Sequence, residues 1–340
     1  MVQQSRTPTR RRVLGGLAGA AAALAVPAIA RRARAAYPER NIKVVIPTAQ
    51  GGGADRLARS FADIWRKSLG VAFEFDFYPG GAGQVGYELF VNKREKDGYN
   101  LLFGNMGPEM IMYALQKPGY RFPDDYFYFC RTDVDDSCVY VRAASPFKRI
   151  EDVVAEGKKR TLNVATSRLP HPASIGILAL GEATGAKFNL VPYGGGNPTT
   201  VAVLNGEVDC GVIPVAEPIK MGDKTRTLGV FNDTNRVARY TGDAPPINKV
   251  FGTKIPELSS SRAWAIHAEA AAKFPDAFKR LNETAKAVSA DPSYRDVFVK
   301  TAGPWEAVAY GDREVCTKYA LGMIELAKRY EPLLTAKKKS

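Results

Sequence analysis

Along the chain, short apolar runs alternate with segments whose apolar residues recur every three or four positions. That rhythm predicts strands alternating with amphipathic helices. The run at 41–46 (NIKVVI) precedes a segment in which Leu57, Phe61, Ile64, Trp65 and Leu69 share one helical face. FEFDFY (73–78), a glycine turn, a helix near 86–94 and the strand YNLLFG (99–104) continue the series. FYFCRTDVDDSCVYV then reads as strand, polar turn, strand, a hairpin over 126–142, and ASPFKRIEDVV as a connector feeding a helix. A second series begins at LNVAT (162–166), with a helix near 173–184, FNLVPY (188–193), a helix near 197–205, EVDCGVI (207–213) and TLGVF (227–231). The stretch 242–260, with Gly242, Pro245, Pro246, Gly252 and Pro256, is linker-like. RAWAIH (262–267) is a late strand, and helices near 275–288, 292–302 and 312–330 read as a return to the first half. This order predicts an α/β fold with mainly parallel sheets flanked by helices.

Composition adds little until charge is located. The 340 residues are 45% hydrophobic and 24% charged, an ordinary globular balance. The formal charge of +13 invites a nucleic-acid reading, but residues 1–35 hold seven arginines and no acid. Subtracting those seven from +13 leaves +6, spread among acids, so no basic patch for phosphate backbone is expected. That segment pairs a basic start, Thr9-Arg10-Arg11-Arg12-Val13-Leu14, with an Ala/Gly-rich apolar run and small residues at Ala33-Arg34-Ala35. It predicts a cleaved twin-arginine (Tat) signal peptide over 1–35 and a periplasmic protein, with an N-terminal membrane anchor as the alternative. Cys130 and Cys138 would face each other across the hairpin, either bridged in an oxidising compartment or buried and free. Two histidines and cysteines without zinc spacing predict no metal site, and no cofactor is expected.

Three glycine turns lie between strand and helix: QGGGAD (50–55), PGGAGQVG (79–86) and GGGNP (194–198). Glycine lets the backbone approach a ligand, and a helix start offers unpaired N–H groups suited to an anion. A tight turn alone also accounts for any one of them. No Lys-Ser/Thr follows Gly53, so a phosphate-binding P-loop is excluded. Gly81-Ala82-Gly83-Gln84-Val85-Gly86 fits GxGxxG but follows the second strand, and no ribose-binding acid ends the next one. No GxSxG elbow occurs. His171 lies in a loop and reads as a hydrogen-bonded surface residue rather than a base; Asp55, in a first helical turn, complements the helix dipole.

YPERNIKVVIPTAQGGGADRLARSFADIW and VPYGGGNPTTVAVLNGEVDCGV, with YPGGAGQVGYELFVNKREKDGYNLLFG between them, resemble the Bug-type solute-binding proteins. Those are the extracytoplasmic receptors of tripartite tricarboxylate transporters, and the match in order and spacing runs from about Tyr37 to Leu334. The resemblance implies a monomer of two lobes, a type II-like periplasmic binding fold, closing on a small organic carboxylate and serving membrane permease subunits. It implies a first lobe over 36–143 plus 261–340 and a second over 144–260. It implies ligand contacts from Thr48, Gln50, Gly51, Gly52 and Asp55 and from a loop at Asn105 and Met106. From the second lobe it implies Thr166, Ser167, Tyr193, Gly194, Gly195, Gly196 and Asn197.

The chain departs from the family at Gln50, which stands where Pro is usual, and at Pro214 and Val215, which replace polar residues. Where a Gly/Ser-rich loop is usual it has Arg168-Leu169-Pro170-His171. Arg168 and His171 join the expected ligand set, since an arginine fork matches a carboxylate bidentately. A sensor feeding a membrane signalling protein, or an enzyme acting on a small acid, are the alternatives to transport.

Overall fold

A computed structural model describes residues 37–335. The expected signal peptide over 1–35 and the lysines at 337–339 lie outside them. The chain opens with β1 (Ile42–Ile46), α1 (Gly53–Leu69), β2 (Phe73–Phe77), α2 (Gln84–Lys93), β3 (Asn100–Asn105), α3 (Met106–Gln116) and β4 (Tyr126–Asp133). It continues with β5 (Asp135–Arg142), α4 (Ile150–Lys159), β6 (Leu162–Thr166), α5 (Pro172–Thr184), β7 (Phe188–Pro192), α6 (Gly196–Asn205), β8 (Cys210–Pro214), α7 (Ala216–Lys220) and β9 (Thr225–Val230). After α8 (Ala238–Thr241), α9 (Ile247–Phe251) and β10 (Ser259–Ser260) come β11 (Arg262–His267), α10 (Ala268–Lys273), α11 (Pro275–Ala290), α12 (Pro292–Thr301), β12 (Val308–Gly311) and α13 (Arg313–Thr335).

Two sheets result. The first runs β12-β4-β11-β3-β1-β2, and the second β10-β5-β8-β6-β7 with β9 also on β5. Both are mixed rather than mainly parallel. β1 pairs in parallel with β2 and β3, and β6 with β7 and β8, as helical crossovers require. The late strand β11 enters antiparallel between β3 and β4, and β5 lies antiparallel to β8, β9 and β10.

The apolar stripe of α1 covers one face of the first sheet. Phe61 and Trp65 pack on Trp264 at ring separations of 5.6 and 5.1 Å, with Leu281, Tyr294 and Phe298 of α11 and α12 closing the cluster. The opposite face carries Tyr87, Phe90, Met110 and Met323 from α2, α3 and α13. Helix α3 was not expected, since a loop was placed at Asn105 and Met106; Pro108 is tolerated in its first turn because proline there forfeits only an N–H that has no helical partner.

The expected hairpin over 126–142 does not form. β4 lies in the first sheet and β5 in the second, so Val134 is a crossing from one sheet to the other. The return crossing is Ser260-Ser261-Arg262, and the two crossings run side by side through the pairs Ser259–Asp136 and Ser260–Asp135. The polar residues that resembled a turn are buried charges. Arg262 donates from its backbone N–H and its guanidinium to Asp133 and reaches Asp135 at 3.2 Å. All three residues are buried. Burial pushes both carboxyls upward, Asp135 to about 7, against the pull of Arg262.

Cys130 and Cys138 therefore do not face each other: Cys130 sits opposite Trp264, whereas Cys138 sits opposite Ile213 and Val230. All four cysteines are free and buried, and burial raises each thiol above its ordinary range. Thiol titration in denaturant without reductant should count all four cysteines of the chain. A count of two would contradict this arrangement.

Candidate functional site

The two lobes present the same local construction to one another. In the first, β1 ends at Ile46 and the chain turns through Gly51 (φ 78°) into α1, with Gly52 at its N-cap. In the second, β7 ends at Pro192 and the chain turns through Gly194 (φ 78°) into α6, with Gly195 at its N-cap. The first N–H groups of a helix have no partner within it, and they carry the positive end of the helix dipole. Both helix starts open on one cleft with about 100 Å³ of free space. Room on that scale limits an occupant to a small molecule.

Several expected residues meet there: Thr48, Gln50, Gly52 and Asn105 from the first lobe, Ser167, Arg168, His171, Gly195, Gly196 and Asn197 from the second. The side-chain oxygens of Thr48 (Oγ1) and Asn105 (Oδ1) are buried with no protein partner among the described residues. Asn105 and Met106 do not form a loop, because β3 passes directly into α3. Met106 is a core residue whose amide donates to Ser261 O at 2.8 Å.

Other expected contacts turn out to shape the cleft from behind. Asp55 accepts from the Gly51 amide at 2.8 Å and from Arg59 Nε at 2.6 Å, so both its oxygens brace the first turn. Thr166 is buried and shares hydrogen bonds with Ser174 and Arg168 O, fixing the loop at 167–171. Tyr193 points its hydroxyl at Glu207, and Gly194 is exposed, with open space where a Cβ would stand. Neither they nor Gly51 line the cleft.

His171 is buried rather than on the surface. It caps α5, its Nδ1 accepting from the Ala173 amide at 3.0 Å, which leaves the ring proton on Nε2. Burial, with Arg168 and Arg262 nearby, pushes its pKa down to about 3, so the ring is neutral and a weak base. Arg168 lines the cleft, but its Nη1 already donates to Ala82 O at 2.8 Å and lies 3.8 Å from Glu109 Oε1, in the opposite lobe. The third glycine turn, Gly81-Ala82-Gly83, thus receives this arginine instead of a ligand. Glu109 is fully buried; burial lifts it to about 7 while Arg168 and the Tyr87 hydroxyl, 2.6 Å away, oppose the rise.

Two charged residues of the cleft were missed. Arg262, the hinge arginine, also lines it, as does Glu217 in the first turn of α7. A Cβ on Gly53 would stand 2.8 Å from Glu217 Oε1 and 3.4 Å from an Arg262 nitrogen, and one on Gly196 3.3 Å from the Glu217 side chain. Glu217 therefore sits between the two helix starts. The only hints in sequence were an arginine opening a strand whose six residues are otherwise apolar or aromatic, and an acid directly after the apolar run CGVIPVA.

Residues 57–319 match the family model described as the tripartite tricarboxylate transporter family receptor (TctC). Among curated relatives, BugT of Bordetella pertussis is 26% identical over 231 residues, covering 66% of this chain and 69% of that protein. Two UPF0065 proteins, from Pseudomonas sp. and Agrobacterium vitis, are 26% and 28% identical; the alignments cover 65% and 52% of this chain and 66% and 52% of the relatives' length. Two solved structures share the fold at 19% identity: R. palustris Rpa4515 with adipate (TM-score 0.75, 88% of this chain and 98% of that one) and MatC from Rhodopseudomonas palustris with bound malate (0.73, 88% and 100%).

The position of Glu109 has a pH consequence. Its folded-state pKa lies above the ordinary value, so the stability it confers is complete at low pH and is lost as pH rises through about 7. Glu109→Gln removes that dependence, while the offset from leaving Arg168 without its counter-charge is the same at every pH. Between pH 4 and pH 8 the wild type should lose about 3 kcal/mol relative to the variant in denaturant titrations. Parallel profiles for the two proteins would contradict the assignment.

Proposed function

The chain belongs to the tripartite tricarboxylate transporter receptor family, and from that premise we propose that it is a periplasmic receptor capturing a small organic carboxylate for membrane permease subunits. The observation that carries this reading is the convergence of two helix starts, one from each lobe, on one cleft that Arg262 also lines. On this reading a carboxylate bridging the lobes accepts from amides at Gly53 and Ala54 and at Gly196 and Asn197. The guanidinium of Arg262 lines the same cleft, with its charge shared between Asp133 and Asp135. The adipate and malate bound to the two structural relatives are carboxylates of the class proposed.

The mechanism is closure about the paired crossings at Val134 and Ser261. A ligand touching both helix starts stabilises the closed arrangement over the open one by its differential contacts, and the permease reads the closed form. Binding without transformation fits the chemistry present. His171 has its Nδ1 committed to a backbone amide and a pKa near 3, and Asp55 is committed to Gly51 and Arg59. Neither is free to act as a base at neutral pH. We place the protein in the periplasm, exported by the twin-arginine segment of residues 1–35.

Calorimetry of the wild type, Gly53→Val and Gly196→Val against a panel of mono- and dicarboxylates tests the reading. A valine at either position enters the space between the helix starts, so both variants should lose about tenfold or more in affinity while keeping their melting temperatures close to wild type. A wild type that binds no carboxylate, or variants that bind as tightly as it does, would contradict it.

A further inference from the structure

The carboxylate of Glu217 occupies an unusual place for a receptor of anions. It stands between the starts of α1 and α6, within the space a ligand carboxylate would share. Its side chain is almost completely enclosed, and only one of its oxygens has a protein partner: Oε1 accepts from Arg56 Nη2 at 2.5 Å. Oε2 has no hydrogen bond among the described residues, although Glu217 lines the cleft. Arg56 comes from the opposite lobe, so the pair also fixes where the carboxylate stands when the lobes are together.

An ionised carboxylate accepts hydrogen bonds and donates none. An unsubstituted carboxylate ligand brings only further acceptors, so its charge meets that of the enclosed Glu217 side chain at short range, where like charges repel. A ligand with an O–H or N–H near its carboxylate converts the same neighbour into a partner. A site built to hydrogen-bond such a group rejects the analogue that lacks it, because the buried acceptor is then left unpaired. Resting on the receptor reading above, we infer that Glu217 selects carboxylates bearing an adjacent hydroxyl or ammonium group and discriminates against their unsubstituted parents. The helix-start amides and Arg262 hold the ligand's carboxylate, and Glu217 Oε2 accepts from the adjacent donor.

Matched ligands test this by calorimetry: succinate, malate and aspartate in one series, propionate, lactate and alanine in the other. For the wild type, a donor-bearing member of at least one series should bind at least about tenfold more tightly than its parent, a difference of about 1.4 kcal/mol. In Glu217→Ala that ratio should fall towards one, with the parent acid gaining affinity as the repulsion is removed. Glu217→Gln keeps the shape and an acceptor oxygen for Arg56, so it serves where the alanine variant fails to fold. It should retain a preference for the hydroxy acid and lose one for the amino acid, whose ammonium needs a charged acceptor. Parents that bind the wild type as tightly as their substituted partners, or a ratio unchanged in both variants, would overturn this inference and leave the receptor reading standing. A wild type that binds none of the six would remove both.

Discussion

Arg262, buried between Asp133 and Asp135, is the interaction on which the arrangement depends. The three residues lie on the two segments that cross between lobes, and the same guanidinium lines the cleft. Withdrawing these charges from water is costly, and they are tolerated because they pair with one another and each carboxylate also accepts from a backbone amide. Ser261 Oγ donates to Asp133 O, Thr132 Oγ1 to Arg262 O, and the Ala216 amide to Asp135 Oδ1. Removing one member would leave an uncompensated buried charge, at a cost of about 3–5 kcal/mol. The cluster therefore fixes the register of the two crossings and, through them, which ends of the sheets face each other.

Around that hinge the lobes touch through an apolar cluster that includes Met110 and Met323 of the first and Ala173 and Ile175 of the second, and also through long polar side chains. Arg168 reaches across to Ala82 O, Arg56 to Glu217, and Lys220 to Thr301 O. Burial and the nearby Arg56 push Lys220 down to about 8. Such contacts are individually replaceable by water, which suits an interface that has to open. The facing glycine turns are supported differently: Asp55 ties down the first, whereas Thr199 and Thr200 bond back to the carbonyls of Gly195 and Gly196 in the second. Both leave the leading amides uncommitted.

Much of this was legible in the residues. Strand–helix alternation and the glycine turns are local, and periodicity alone located β1 through β3, α1, α6 and the three late helices. What escaped depends on partners far away in sequence. Asp133, Asp135 and Asp136 read as a turn because acids seldom enter a sheet interior unpaired; their partners Arg262 and Arg236 lie 129 and 100 residues away. Of the two readings of Cys130 and Cys138, the bridged one fell with the hairpin that motivated it, and the buried, free one stands. Arg168, singled out where the chain departs from the family, lines the cleft, but its Nη1 donates to Ala82 O and lies 3.8 Å from Glu109, in an unexpected helix. Glu217 carried only the weak local signal of an acid ending an apolar run, since only folding brings Gly53 and Gly196 to either side of it.

The account's central claim is that facing helix starts in the two lobes grip one small carboxylate. A crystal structure with the tightest-binding acid of the calorimetric panels tests it most directly. The account predicts ligand carboxylate oxygens within hydrogen-bond distance of amides at both Gly53 and Gly196, with Arg262 alongside. A ligand bound elsewhere, or held by one lobe alone, would contradict it.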